Sequence, residues 1–161
     1  MQANLRTRQL HESDRGSIEN YWLSLSLDER RKRFHSAVSD EMLRAQVRRI
    51  NFSSDSVLGV YHDGRLCGTA ELMANGQSDD GGVCELAIVL SAPAKGSGIA
   101  SSIIQTLRKL ACALGHGAIE LCMEPDNRPM VRLAIKNGFF ISHDQGGMTG
   151  RSKISSHVPG R

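Results

Sequence analysis

Residues 86–100 read Leu86-Ala87-Ile88-Val89-Leu90-Ser91-Ala92-Pro93-Ala94-Lys95-Gly96-Ser97-Gly98-Ile99-Ala100. Val83 to Leu90 is nearly continuous apolar chain, the pattern of a central strand buried on both faces. Ile99, Ile103, Ile104, Leu107, Leu110, Ala111 and Leu114 then recur at helical spacing and stop at Gly115. A short loop with one cation and two glycines joins strand to helix. Bare backbone at Gly96 and Gly98 lets N–H groups point at an anion, and a helix N-terminus adds positive potential. The segment is a phosphate cradle or an ordinary strand-to-helix turn. Two nucleotide patterns fail: no G-x-x-x-x-G-K-[ST] string occurs, and G-x-G-x-x-G would need glycine where Ser101 stands.

Outward from this loop, the chain alternates between types of element. Residues 4–10 read as a strand. Ser13 or Asp14 is placed to cap a first helix. A short helix opens at Asp28 and ends near Phe34, and a third runs from Asp40 to Ile50 with Met42, Leu43, Val47 and Ile50 as its stripe. Residues 56–62 and 65–73 are strands around an Asp63-Gly64 hairpin turn, and residues 75–82 are a plain loop. Ala118 to Met123 is a strand, and Asn127 to Asn137 a helix with Pro129 in its first turn. A strand starts at Phe139. The tail from about 143 is polar and glycine-rich, and either holds a weak strand over 153–158 or frays. The order β-ααα-ββ-β-α-β-α-β predicts one mixed α/β domain over residues 1–161.

Composition narrows the classes. The 161 residues carry 20 Lys and Arg against 17 Asp and Glu, a net charge of +3. That mild balance does not describe a nucleic-acid binder, whose cations should cluster on one face. Arg30-Arg31-Lys32-Arg33 is the one dense run, either a solvated helix face or an attractor for an acidic acceptor surface. The longest uncharged, largely apolar run, Leu86 to Ala94, is far below the ~18 residues of a membrane span, and no signal-peptide core opens the chain. Cys67, Cys84, Cys112 and Cys122 make no C-x-x-C pair and have no His at zinc-ligand spacing. Reduced thiols in the cytoplasm and no metal are the expectation.

Lys95-Gly96-Ser97-Gly98-Ile99-Ala100 resembles the [R/Q]-x-x-G-x-[G/A] loop of the GNAT acetyltransferase superfamily, with Lys95 where Arg or Gln is usual. Glu124 to Phe139, EPDNRPMVRLAIKNGF, resembles the family's N-x-x-M/A-x-x-L-x-x-K-x-G-F segment. Three further pieces, residues 26–34, Gly68-Thr69-Ala70 and Cys84-Glu85-Leu86-Ala87-Ile88-Val89, are similar to the bacterial protein-lysine acetyltransferases of the Pat type. The resemblance implies a mostly antiparallel central sheet flanked by helices, and acetyl-CoA as co-substrate. It implies that the backbone of Ile88, Val89 and Leu90 bonds the pantetheine arm. Lys95, Gly96, Ser97, Gly98, Ile99 and Ala100 would then take the pyrophosphate.

Glu85 is the only charge between Val83 and Leu90. Burial would raise its pKa toward that of a useful general base, and the resemblance implies a catalytic glutamate here. The alternative is a partly exposed carboxylate in an ion pair. Asn127 reaches the coenzyme, caps the following helix, or does both. Many family members carry a tyrosine acid at the position of Ala134; neither Tyr21 nor Tyr61 is well placed by sequence to replace it. Tyr21, Trp22 and Phe34 line either the core or an acceptor cleft. The activity implied is acetyl transfer to an amine, a protein lysine or a small amine. A non-catalytic acyl-CoA sensor is the alternative of another class. From the length, no fused regulatory domain is expected, and the residues name neither the acceptor nor the oligomeric state.

Overall fold

The computed structural model describes residues 4–75 and 82–154. Most of the expected 75–82 loop, and the expected strand beyond Ile154, lie outside them. Seven strands stand in the hydrogen-bonded order β1-β2-β3-β4-β5-β7-β6. They are β1 (Leu5–Gln9), β2 (Ser56–His62), β3 (Arg65–Asn75), β4 (Val83–Leu90), β5 (Ala118–Met123), β6 (Phe140–Asp144) and β7 (Gly147–Lys153). Helices are α1 (Arg15–Leu23), α2 (Leu27–Phe34), α3 (Asp40–Arg49), α4 (Ile99–Ala113) and α5 (Arg128–Lys136). The sheet is mostly antiparallel; β4 and β5 run parallel, in register at Val83↔Ala118, Cys84↔Ile119 and Glu85↔Glu120. Among the described residues, no helix is long and apolar enough to cross a membrane.

The chain divides into two compact units, one of residues up to Glu71 with Ala87–Ile99, the other of Leu72–Leu86 with the chain from Ala100 onward. In the first, Leu10, Ile18, Trp22, Leu43, Val47, Val57 and Val89 form the buried cluster. Each such side chain removed from water contributes about 1.5–3 kcal/mol. The α3 stripe is narrower than expected: Leu43, Val47 and Ile50 are buried but Met42 is 52% exposed. Tyr21 and Trp22 belong to the core, with half-buried Phe34 edge-on to Trp22 at 5.2 Å.

Two local expectations change. Asp14 does not cap α1 with its side chain. A 3-10 turn over Glu12–Asp14 precedes the helix, and the carboxylate turns back to accept the His11 N–H at 2.8 Å and the Arg8 guanidinium. The basic run is not a wholly solvated face. Arg30 is buried and donates to the carbonyls of Leu23, Leu25 and Val38 and to Asp40, while Arg33 pairs with buried Glu71. Only Arg31 and Lys32 follow the simpler pattern, pairing with Asp28 one helical turn back.

In the second unit, α4 buries Ile103, Ile104, Leu107 and Ala111 as its periodicity predicts, while Leu114 is 55% exposed. The tail differs from the expectation. A strand is present, but at Gly147–Lys153, and it lies between β5 and β6, paired antiparallel to both. Its inward residues are Met148, Gly150 and Ser152, too polar and small to read as an apolar alternation. Gly150 is under Met123, Phe139 and Ile141, each within 3.4 Å of where a Cβ would stand.

Candidate functional site

In the first unit, the end of β4 from Ala87 onward runs into the loop that follows it. Leu86, Ala87, Ile88 and Val89 are buried in succession, which matches a strand covered on both faces. Its ladder with β5 ends at the Glu85↔Glu120 pair, so Ile88, Val89 and Leu90 are not part of that ladder. Ser91 follows the strand, its N–H donating to the Cys67 carbonyl at 2.8 Å. The loop then turns on itself: the Lys95 N–H donates to the Ser91 carbonyl and the Ser97 N–H to the Ala94 carbonyl, both at 3.1 Å.

Gly96 and Gly98 adopt φ of 75° and 85°, the left-handed region in which a side chain costs roughly 1–2 kcal/mol. Nothing lies within 4 Å of where their Cβ atoms would stand. Packing therefore does not demand these glycines; backbone conformation does. Among the described residues their N–H groups have no hydrogen-bond partner. Lys95, Gly96, Ser97 and Gly98 are exposed, and Ile99 and Ala100 are half-buried at the start of α4. Two bare amides, a lysine and a helix start form a site whose chemistry suits a phosphate group.

Three residues that sequence reasoning did not assemble sit at the root of this loop. Ser91 Oγ donates to Glu29 Oε2 at 2.7 Å, and the Tyr21 hydroxyl is 2.9 Å from the same Oγ. Tyr21 is therefore brought to the end of β4, where its sequence position gave no reason to expect it. Burial, partly offset by the bond to Ser91, raises its pKa, so the phenol keeps its proton. One sign was available: Ser26-x-x-Glu29 is a capping box, and the structure forms it at the start of α2.

The second unit holds Glu85 and Asn127. Glu85 is half-buried, not enclosed as its apolar neighbours suggested. Strand alternation sets it on one sheet face with its register partner Glu120 and with Arg151, which donates to Glu120 at 3.2 Å. Cys122 follows on that face; partial burial, then the carboxylates of Glu85 and Glu120, raise its thiol pKa. Asn127 occupies the N-cap of α5 but makes no side-chain cap bond. Its amide has no partner among the described residues, which leaves it available to a ligand. Ala134 is wholly buried. Among the described residues, no group of three or more His, Cys, Asp and Glu side chains could hold a metal ion.

Residues 19–139 match the model of the Acetyltransferase (GNAT) family. The GNAT domain of S. lividans PAT superposes with a TM-score of 0.78 at 16% identity, over 92% of this chain and 90% of that one. Spermidine N-acetyltransferase from Vibrio cholerae, solved with CoA and spermine, gives 0.71 at 18% identity over 96% and 98%. A putative acetyltransferase, yncA, from Salmonella typhimurium with acetyl-CoA gives 0.69 at 14% over 99% of both chains. No curated protein matches. With the family's model covering three quarters of its length, and with strand, loop and helix arranged as described, this chain belongs to the GNAT acetyltransferase family and is an acyltransferase.

Proposed function

We propose that this chain transfers the acetyl group of acetyl-CoA directly to the side-chain amine of a protein lysine, and that residues 1–161 act as one acetyltransferase domain. The observation that carries the reading is the loop after β4, with its two unpartnered amides at positive φ and open space above both. Lys95, Gly96, Ser97, Gly98, Ile99 and Ala100 would hold the pyrophosphate. The main chain of Ile88, Val89 and Leu90 would hold the pantetheine arm, and the Asn127 amide would add a contact. Four free cysteines agree with a cytoplasmic setting.

Bound acetyl-CoA supplies an acyl group already activated as a thioester. A lysine amine has a pKa of ~10.4 and arrives mostly protonated. Glu85 accepts that proton, which frees the lone pair for attack. A β4 main-chain N–H, donating to the thioester oxygen, stabilises the charge that develops there. The C–S bond breaks as the new C–N bond forms, the acylated nitrogen sheds its remaining extra proton to water, and, with Ala134 offering no acid, the thiolate takes its proton from water or from another group. The protein-lysine acceptor is supported by the resemblance of residues 26–34, Gly68-Thr69-Ala70 and Cys84 to Val89 to the Pat type.

The test is thiol release from acetyl-CoA against lysine peptides and proteins, spermidine and free amino acids. Wild type should turn over the lysine substrates. Glu85→Gln should lower kcat by about 10²–10⁴-fold while coenzyme affinity stays near wild type. Unchanged turnover would remove Glu85 as the base. Turnover of spermidine alone would replace the acceptor. Tight binding without thiol release from any acceptor would make the chain a sensor.

A further inference from the structure

Ser91 is where β4 ends and the loop begins, and every polar atom it carries is engaged. Its N–H and C=O bond Cys67 and Lys95, and its Oγ bonds Glu29 and Tyr21. A carboxylate only accepts, so the Ser91 proton goes to Glu29. Tyr21 is then the donor, shared between Ser91 Oγ at 2.9 Å and the Cys67 carbonyl at 3.1 Å. The other Glu29 oxygen accepts the Ser26 N–H at 3.1 Å, and Ser26 Oγ accepts the Glu29 N–H at 3.1 Å. One carboxylate thus joins the first turn of α2 to the first residue of the loop, across a sequence separation of 62. Burial alone would raise the Glu29 pKa. Bonds from Ser91 and Ser26, with the charge of Lys95, outweigh it and hold the carboxyl below its ordinary value. Glu29 is therefore ionised at neutral pH, and an ionised acceptor makes the stronger bond.

We infer that Glu29 is a positioning residue for the coenzyme loop. It holds the Ser91 side chain, and through the Ser91 carbonyl the Lys95 amide, so that the Gly96 and Gly98 amides stand ready for a diphosphate. A loop ordered before binding loses less conformational freedom on binding. The inference rests on the reading that this loop takes the coenzyme's pyrophosphate. Glu29 also serves the α2 cap, and the two roles have different partners: Ser26 belongs to the cap and Ser91 to the loop.

Four single variants and one double separate them, with CoA affinity read by calorimetry and stability by thermal unfolding. Ser26→Ala should lower Tm by a few degrees, as loss of a cap does, with CoA affinity within about twofold of wild type. Ser91→Ala should weaken CoA binding by about tenfold, the loss of one hydrogen bond's contribution, with acceptor KM unchanged. Glu29→Ala should show both effects. Glu29→Gln, which keeps an acceptor oxygen for Ser91, should recover most of the CoA affinity. The Glu29→Ala/Ser91→Ala double should bind CoA no worse than either single. Wild-type CoA affinity in Glu29→Ala, or additive losses in the double, would confine Glu29 to the cap and overturn the inference alone. Wild-type affinity in Gly98→Asn would overturn the loop assignment and the inference with it.

Discussion

Arg33, in α2, pairs with Glu71, in β3, almost wholly out of water: the Arg33 side chain is 11% exposed and that of Glu71 4%. The guanidinium lies 4.5 Å from the Phe34 ring centroid and 5.5 Å from that of Trp22. Its Nε is buried without a hydrogen-bond partner. A cation with aromatic faces and one carboxylate satisfies most of its needs but not all of them.

Breaking this pair should be costly and replacing it should not. Glu71→Ala or Arg33→Ala strands one buried charge and should destabilise the chain by about 3–5 kcal/mol. The double Arg33→Met/Glu71→Leu, which strands none, should lose less than either single. Urea unfolding measures all three. A double variant that loses as much as the two singles together would show no coupling between the two charges and would sink this account of the pair.

The loop glycines should separate stability from ligand binding. Gly98→Asn puts a side chain that tolerates positive φ into the open space above the loop. Tm should change by no more than a degree or two, while CoA affinity should fall about tenfold or more, about 1.4 kcal/mol. Calorimetry with CoA reads the second quantity. Unaltered affinity would show that no phosphate rests there.

Asp14 should shape the acid limb of stability. Its carboxyl is held at about 2, against an ordinary 3.8, chiefly by the Arg8 guanidinium and then by the His11 N–H. As pH falls the unfolded chain takes up the proton first, so the contribution is present above about 3.8 and lost as pH drops through about 2. Asp14→Asn should flatten the pH dependence of unfolding free energy across that window. Denaturant unfolding at several pH values checks it, and an unchanged slope would count against the pair.

The order of elements was legible because helix and strand periods are carried by near neighbours along the chain. The α4 stripe, the Asp63-Gly64 turn and the Leu86 to Ala100 segment all read correctly from local pattern alone. The loop glycines were legible for the same reason: positive φ at Gly96 and Gly98 is a property of the backbone there. β7 was missed because its inward positions, Met148, Gly150 and Ser152, fit neighbours supplied by other strands.

The sequence by itself determined the elements as far as β6, the strand-loop-helix signal and the identity of Glu85 as the one charged residue of β4. Only the tertiary structure decided that Arg30 and Arg33 turn inward, that Asn127 keeps its amide out of the α5 cap, and that Tyr21 and Glu29 meet at Ser91. The physical reason is distance along the chain. Periodicity reports what a residue shares with those three or four places away. A hydrogen bond between residues 62 apart exists only once the helices have packed against the sheet.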